Sequence, residues 1–373
     1  MLDLNELLRY LMEQRGSDLH VKVASAPYVR VDGHLQPTPF DSVTPADTER
    51  MAFAIMPKDR ADEFMTWSEA DFAYSVSGLG RFRVNVFRQR GSVGLVFRRV
   101  LPGTPSFEAL GLPSVAARLA EEPRGMVLVT GPTGAGKTTT IAAMIDHINE
   151  VKAVNVVTIE DPIEVLHHDK KAIINQREIG TDTRDYAQAM RRVLRQDPDV
   201  IFIGEMRDPE TVWAALAAAE TGHLVLSTLH TTNATETVNR IVDFFPPFQQ
   251  KQVRLTLASS LRGVVSQRLL ERADGKGRVP ATETLVMTGR IFDRIVDPEG
   301  QETIEDIIAD GEYYGMQTFD QSLLHLYADG VVSRRDALST ASNPHDLRLK
   351  MEHHELSKEH AAVQAAPALA HSA

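Results

Sequence analysis

Leucines at positions 4, 7, 8 and 11 recur at helical spacing and predict a helix over residues 4–12. Apolar and polar positions then alternate. Strands are expected at 20–23 and 27–31, with a turn at Asp32 and Gly33 closing the second of them. A helix is expected around 45–55, and strands return at 71–76, 81–86 and 92–98. Together these make an α+β domain over 1–100. Residues 101–106 contain Pro102, Gly103 and Pro105, which restrict helix formation and mark a linker.

Beyond Gly125 the pattern changes to short, continuous apolar runs at 126–130, 154–159, 200–203 and 224–228, separated by helical segments. Such runs imply a mainly parallel sheet covered on both faces, so the second domain, 107–350, is of the α/β class. Residues 351–373, rich in Ala and His with little periodicity, read as a loose tail. Its scattered His353, His354, His360 and His371 fit a solvated segment better than a metal site.

At 373 residues with 43% hydrophobic positions, the chain can bury two cores. Forty basic against 51 acidic side chains leave a net charge of -11, which disfavours generic nucleic-acid binding. There is no cysteine, which excludes disulfides and thiolate zinc sites and suits a reducing compartment. No apolar run approaches the length of a spanning helix, and the first residues lack a signal-peptide layout. The expected location is cytoplasmic, at most peripheral to a membrane.

The segment Gly131-Pro132-Thr133-Gly134-Ala135-Gly136-Lys137-Thr138, followed by Thr139, lies between an apolar run and a helix with Ile141, Met144, Ile145 and Ile148 on one face. This is the setting of a phosphate-binding loop. Glycines let backbone N–H groups point at phosphates, the helix start adds its positive dipole end, and Lys137 supplies a full charge. Thr138 is the expected Mg2+ ligand, and ATP the expected cofactor.

Phosphoryl transfer also needs acidic groups to position metal and water. Two clusters come after apolar runs: Glu160, Asp161 and Glu164 in one, Glu205 and Asp208 in the other. The carboxyl ends of strands in a doubly wound sheet face the ligand, although carboxylates there also serve as helix caps. Gly204 stands where ordinary phosphate-loop enzymes carry Asp before the Glu, leaving Glu205 to share the metal with Thr138 and water. A third segment carries His223 and His230 seven residues apart around an apolar run; for either one alone a structural histidine is the commoner reading.

These four blocks resemble the secretion and pilus ATPase family: a Walker A loop at 131–138, an acidic box at 158–164, an atypical Walker B at Gly204 and Glu205, and a His box at 222–230. The resemblance extends from Ser17-Asp18-Leu19-His20 to Gly315-Met316-Gln317-Thr318-Phe319-Asp320 and is strongest to the PilT/PilU group of type IV pilus retraction motors. It implies a PAS-like N-terminal domain, a RecA-like ATPase domain and a homohexameric ring at the pilus base. It further implies Glu164 as the water-activating base, Glu205 as the Walker B group, and His223 and His230 as links between nucleotide state and domain position. Arg81, Arg83 and Arg98 become candidates for nucleotide contacts; Arg81 and Arg83 alternate on one strand face, as two cations aimed at one polyanion would. The implied partners are an inner-membrane pilus platform protein and, as a companion, a second retraction ATPase.

The Ala-Ile-Arg-Asn-Leu-Ile-Arg-Glu segment of PilT-like motors is mostly replaced over 291–298, whereas Phe244-Phe245-Pro246-Pro247, 274–278 and 346–349 look more like the PilU branch. An accessory motor is therefore expected. Assembly and type II secretion ATPases, the nearest rivals, carry a four-cysteine zinc insert that this chain cannot form. A DNA-acting ATPase is disfavoured by the acidic charge, and a non-hydrolysing nucleotide binder by the presence of Lys137, Glu164 and Glu205 together.

Overall fold

The computed structural model describes residues 2–31 and 33–365. The chain divides into two compact units: one runs up to Pro102 and takes in Ile163–Leu166, the other is Gly103–Pro162 with the chain from His167 onward.

The first unit opens with a helix, Leu4–Glu13, started by the Asp3 side chain, which accepts from the Asn5 N–H. Leu4, Leu7, Leu8 and Leu11 are all buried, as their spacing requires. Strands β1 (Asp18–Val21), β2 (Tyr28–Val31) and β3 (His34–Pro37) come next, then helices Pro45–Ile55 and Lys58–Trp67, then β4 (Glu69–Val76), β5 (Gly80–Gln89) and β6 (Ser92–Arg99). They form one antiparallel sheet in the order β3-β2-β1-β6-β5-β4. One face packs on the helices through Leu19, Val84, Val86 and Phe97. In the turn before β3, Gly33 has φ +82°, a conformation that favours glycine, while Asp32 lies outside the described residues. Within the expected linker, Leu101–Pro102 is a short strand, β7.

The second unit is built on β8 (Gly125–Thr130), β9 (Asn155–Glu160), β11 (Ile173–Glu178), β12 (Val200–Ile203), β13 (Leu224–Leu229), β14 (Leu261–Glu271) and β15 (Arg278–Val286), the two-residue β10 (Val165–Leu166) pairing in parallel with β7 instead. The sheet order is β11-β9-β12-β13-β8-β14-β15. All neighbours are parallel except the β14–β15 hairpin.

Both faces are buried. Val127 and Val129 of β8 face a layer containing Ile141, Met144, Ile145 and Ile148 of the helix Lys137–Val151. Met126 and Leu128 face the opposite layer, with Val212, Leu216, Val238 and Ile241 from the helices Pro209–Glu220 and Ala234–Asp243. A fully apolar strand is what two buried faces demand.

At the end of the sheet, Leu270, Val279 and Ala281 of the hairpin pack with Phe319, Leu323, Leu347 and Met351. The last two sit on a helix that runs Pro344–Ala365, which corrects the loose tail expected from 351 onward. Burial of Leu347 and Met351, one turn apart, anchors that helix; 366–373, with His371, fall outside the described residues.

Candidate nucleotide site

The phosphate loop joins the end of β8 to the helix Lys137–Val151. Gly131, Gly134 and Gly136 have φ of +144°, +82° and +90°. A Cβ at Gly131 would stand 2.5 Å from the Gln267 carbonyl oxygen, so nothing larger fits where the loop turns under β14. Ala135 is buried, while Pro132, Thr133 and Gly134 are exposed and Thr138 is half-buried. The helix begins at Lys137 after Gly136 with no side-chain cap, which leaves its first N–H groups for a ligand. Lys137 Nζ donates to the carbonyl oxygens of Gly131 at 2.8 Å and Pro132 at 3.2 Å. The loop is braced from outside: Thr130 Oγ1 donates to Ser266 Oγ at 2.9 Å, and Gln267 Nε2 donates to Thr140 Oγ1 at 2.9 Å.

The ends of β12 and β13 bring the next groups in. Lys137 Nζ lies 3.4 Å from His230 Nδ1, and His230 Nε2 lies 3.3 Å from Glu205 Oε1. Because an ammonium can only donate, Nδ1 accepts and the ring proton sits on Nε2, facing the carboxylate. Arg207 Nε donates to Glu205 Oε2 at 2.8 Å, and this hydrogen bond raises the Arg207 guanidinium further above its ordinary value. Three of the four expected catalytic side chains, Lys137, His230 and Glu205, thus form one contact chain. Arg207 was not assigned from the sequence, although its place two residues after Glu205 marks it.

Gly204 has a steric reason. Its N–H donates to Ile159 O at 2.8 Å, and a Cβ there would meet Tyr186 Oη at 2.8 Å and Ile159 O at 3.3 Å. The Tyr186 hydroxyl takes the room that a Cβ at position 204 would need. Burial, then the Asp161 charge, hold the Tyr186 hydroxyl well above its usual range and hence protonated.

The remaining residues are placed elsewhere. Glu160 is buried and accepts from Thr158 Oγ1 at 2.7 Å and Gln176 Nε2 at 3.0 Å, a structural pairing. Glu164 is exposed within Ile163–Leu166, the segment that goes with the first unit. His223 precedes β13, with Nδ1 3.0 Å from the Ala218 carbonyl oxygen, and its own carbonyl accepts the Gly125 N–H at the start of β8. It therefore stands at the end of the sheet opposite the phosphate loop. Within one chain this sets it apart from the phosphate loop, because at about 3.3 Å per residue a six-residue strand keeps its two ends about 20 Å apart.

On the first unit's sheet, Phe82, Val84 and Val86 point into the core while Arg81 and Arg83 point the other way. Arg83 is directly opposite Arg98 across β5 and β6. Like charges facing each other destabilise a sheet, and Asp18, 4% exposed, offsets them by accepting from Arg98 Nε at 2.8 Å. Burial works against the ionised Asp18 carboxylate, but hydrogen bonds from Ser17 and Arg98 hold it below its ordinary value.

Among the described residues no three His, Asp or Glu side chains converge as a metal site. That is compatible with Mg2+, which binds through few protein ligands together with phosphates and water. Nor is any helix among them long and apolar enough to cross a membrane.

Residues 2–313 match the family described as type II/IV secretion system protein. The chain is 43% identical to the type IV pilus retractation ATPase PilT of Pseudomonas aeruginosa over 92% of its length and 99% of the relative's. It is 40% identical to the type IV pilus ATPase PilU of the same organism, over 94% and 92%. The fold matches a crystal structure of the pilus retraction motor PilT with bound ADP at a TM-score of 0.85, with 44% identity and coverage of 93% and 99%.

Proposed function

We infer what this chain does from the family to which it belongs, the type II/IV secretion system proteins, and within them the PilT/PilU type: it is an ATPase that powers retraction of type IV pili. The observation that carries the reading is the contact chain Lys137–His230–Glu205 beneath a phosphate loop, in a chain alignable with retraction ATPases over nearly all its length.

The loop's N–H groups and the open helix start receive the phosphates of ATP. Lys137 exchanges its bonds to the Gly131 and Pro132 carbonyls for phosphate oxygens, a stronger, charge-assisted pairing. His230, in contact with Lys137, registers that exchange and passes it to Glu205. Mg2+ supplies charge neutralisation at the phosphates, and Thr138 and Glu205 are the residues that would hold it. Glu205 must then be released in part from Arg207, which makes Arg207 a brake on that step.

Glu164 orients and deprotonates the attacking water. Arg81, Arg83 and Arg98 bind the nucleotide's negative charge, Arg98 leaving Asp18 to do so. The like-charged Arg83 and Arg98 pair, unfavourable alone, supports this reading. The first unit is taken as PAS-like and the second as RecA-like. Six copies form a ring that acts on an inner-membrane platform protein, with the PilU-like segments favouring work beside a second retraction ATPase.

Cells lacking the chain, imaged with fluorescently labelled pili, provide the test. Pili should persist and stop retracting, and a Lys137→Ala copy should fail to restore retraction. Loss of pili altogether would make the chain an assembly motor.

A further inference from the structure

We propose that Glu283 is a positioning residue for ATP turnover: it holds the segment after His230 against the β14–β15 hairpin, so that the histidine keeps its place between Lys137 and Glu205. The proposal rests on the role given to His230 in the proposed function.

Glu283 lies on β15 and is 5% exposed. Its Oε1 accepts the N–H of Ala234 at 2.7 Å, and Ala234 opens the helix after the His box, four residues beyond His230. Other bonds of this segment are internal: Thr231 Oγ1 lies 2.7 Å from Thr237 Oγ1, and the Thr232 N–H donates to Glu236 Oε2 at 2.7 Å. Glu283 ties the segment to a different element. Directly across the ladder from Glu283 is Ser266, which receives the Thr130 hydroxyl one residue before the phosphate loop. One hairpin therefore grips the loop from β14 and the His230 segment from β15. That shared support fixes the relative position of Lys137 and His230, which must meet across two connections.

The hairpin is itself fixed from its far side. Arg268 lies over the Phe319 ring at 3.9 Å and donates to the Thr340 carbonyl oxygen at 2.6 Å, and Gln317 Nε2 donates to Thr282 Oγ1 at 2.7 Å. Asp320 accepts from the N–H groups of Ser342 and Asn343 at 2.7 and 2.9 Å. The Gly315-Met316-Gln317-Thr318-Phe319-Asp320 motif is in this way a clasp that seats the C-terminal helices on the element bearing Glu283.

A carboxylate kept in such surroundings is costly, which sets Glu283 apart from an ordinary helix cap. Burial pushes it up to about 7; the Ala234 N–H opposes the rise, Glu305 adds to it, Arg268 opposes it and Asp320 adds to it. The ionised form is the stronger acceptor for the Ala234 N–H, so turnover should rise as pH climbs through neutrality.

Steady-state ATPase assays on the full chain test this. Glu283→Ala leaves a buried N–H unpaired and should lower kcat about tenfold, with KM for ATP within about twofold. Glu283→Gln keeps the shape and an acceptor, and should flatten the rise in kcat between about pH 6 and about pH 8. If the Ala variant fails to fold, the Gln variant's profile decides. Wild-type kcat in Glu283→Ala, or a wild-type pH profile in Glu283→Gln, overturns the proposal. If His230→Ala itself leaves kcat unchanged, the fault lies in the role of His230; if it slows turnover while Glu283→Ala does not, the fault lies here alone.

Discussion

His223 and His230 flank the same strand, β13, yet only His230 has the phosphate loop as a neighbour. His230 lies just past the carboxyl end of the strand, where β8 and β12 also deliver Lys137 and Glu205. His223 precedes the amino end, where it faces the Ala218 carbonyl oxygen and where its backbone meets the start of β8. In a parallel sheet all strands end on one side, so chemistry collects there and the opposite ends are left to hold the fold. Strand direction alone thereby sets two identical residues of one motif in different surroundings.

Glu205→Gln should have the largest effect among variants at the carboxyl end. It removes the charge that His230 and Arg207 both face, and kcat should fall about 10²-fold with ATP binding largely kept. Turnover against nucleotide affinity, measured on the same preparation, checks the split. A kcat within about threefold of wild type, roughly 0.7 kcal/mol of barrier, would remove Glu205 from the reacting centre.

His230→Ala comes next. The Lys137 and Glu205 charges stay, and what is lost is the ring between them, so kcat should drop about tenfold. The Glu205→Gln/His230→Ala double variant should be little worse than Glu205→Gln alone, because both substitutions break the same contact chain. Fully additive losses would mean that the histidine acts apart from the glutamate.

The same contrast explains what could be read from the sequence. The continuous apolar runs on β8, β9, β12 and β13 were visible because both faces of those strands are buried, and the phosphate loop because its glycines and lysine have no substitute. The hairpin carries no such signal. Ser266, Gln267, Thr282, Glu283 and Thr284 are buried polar residues that brace the loop, the His230 segment and the C-terminal helices, and they interrupt the apolar signal of β14 and β15. Edge strand β11, Ile-Ile-Asn-Gln-Arg-Glu, is largely polar because one side has no neighbouring strand. The helix Lys58–Trp67 buries only Phe64 and so shows no periodicity. Which acidic residue of the first cluster is structural was also hidden, since Glu160 is distinguished by Thr158 and Gln176, one of them 16 positions away.

The smallest effect is expected at the other end of the strand. His223→Ala gives up the imidazole contacts to the Ala218 carbonyl and Thr221 hydroxyl, which join the last turn of the helix Pro209–Glu220 to the start of β13. One such bond contributes about 1 kcal/mol, which in a unit of this size lowers Tm by about 2–4 °C. Because the side chain stands a full strand length from Lys137, kcat should stay within about twofold once the protein is folded. Thermal melting and ATP turnover of His223→Ala and His230→Ala, compared side by side, should give opposite rankings. A loss of turnover at His223 equal to that at His230, with Tm unchanged, would mean that the amino end of the strand also meets nucleotide chemistry, which a single subunit's sheet cannot provide and a neighbouring subunit would have to.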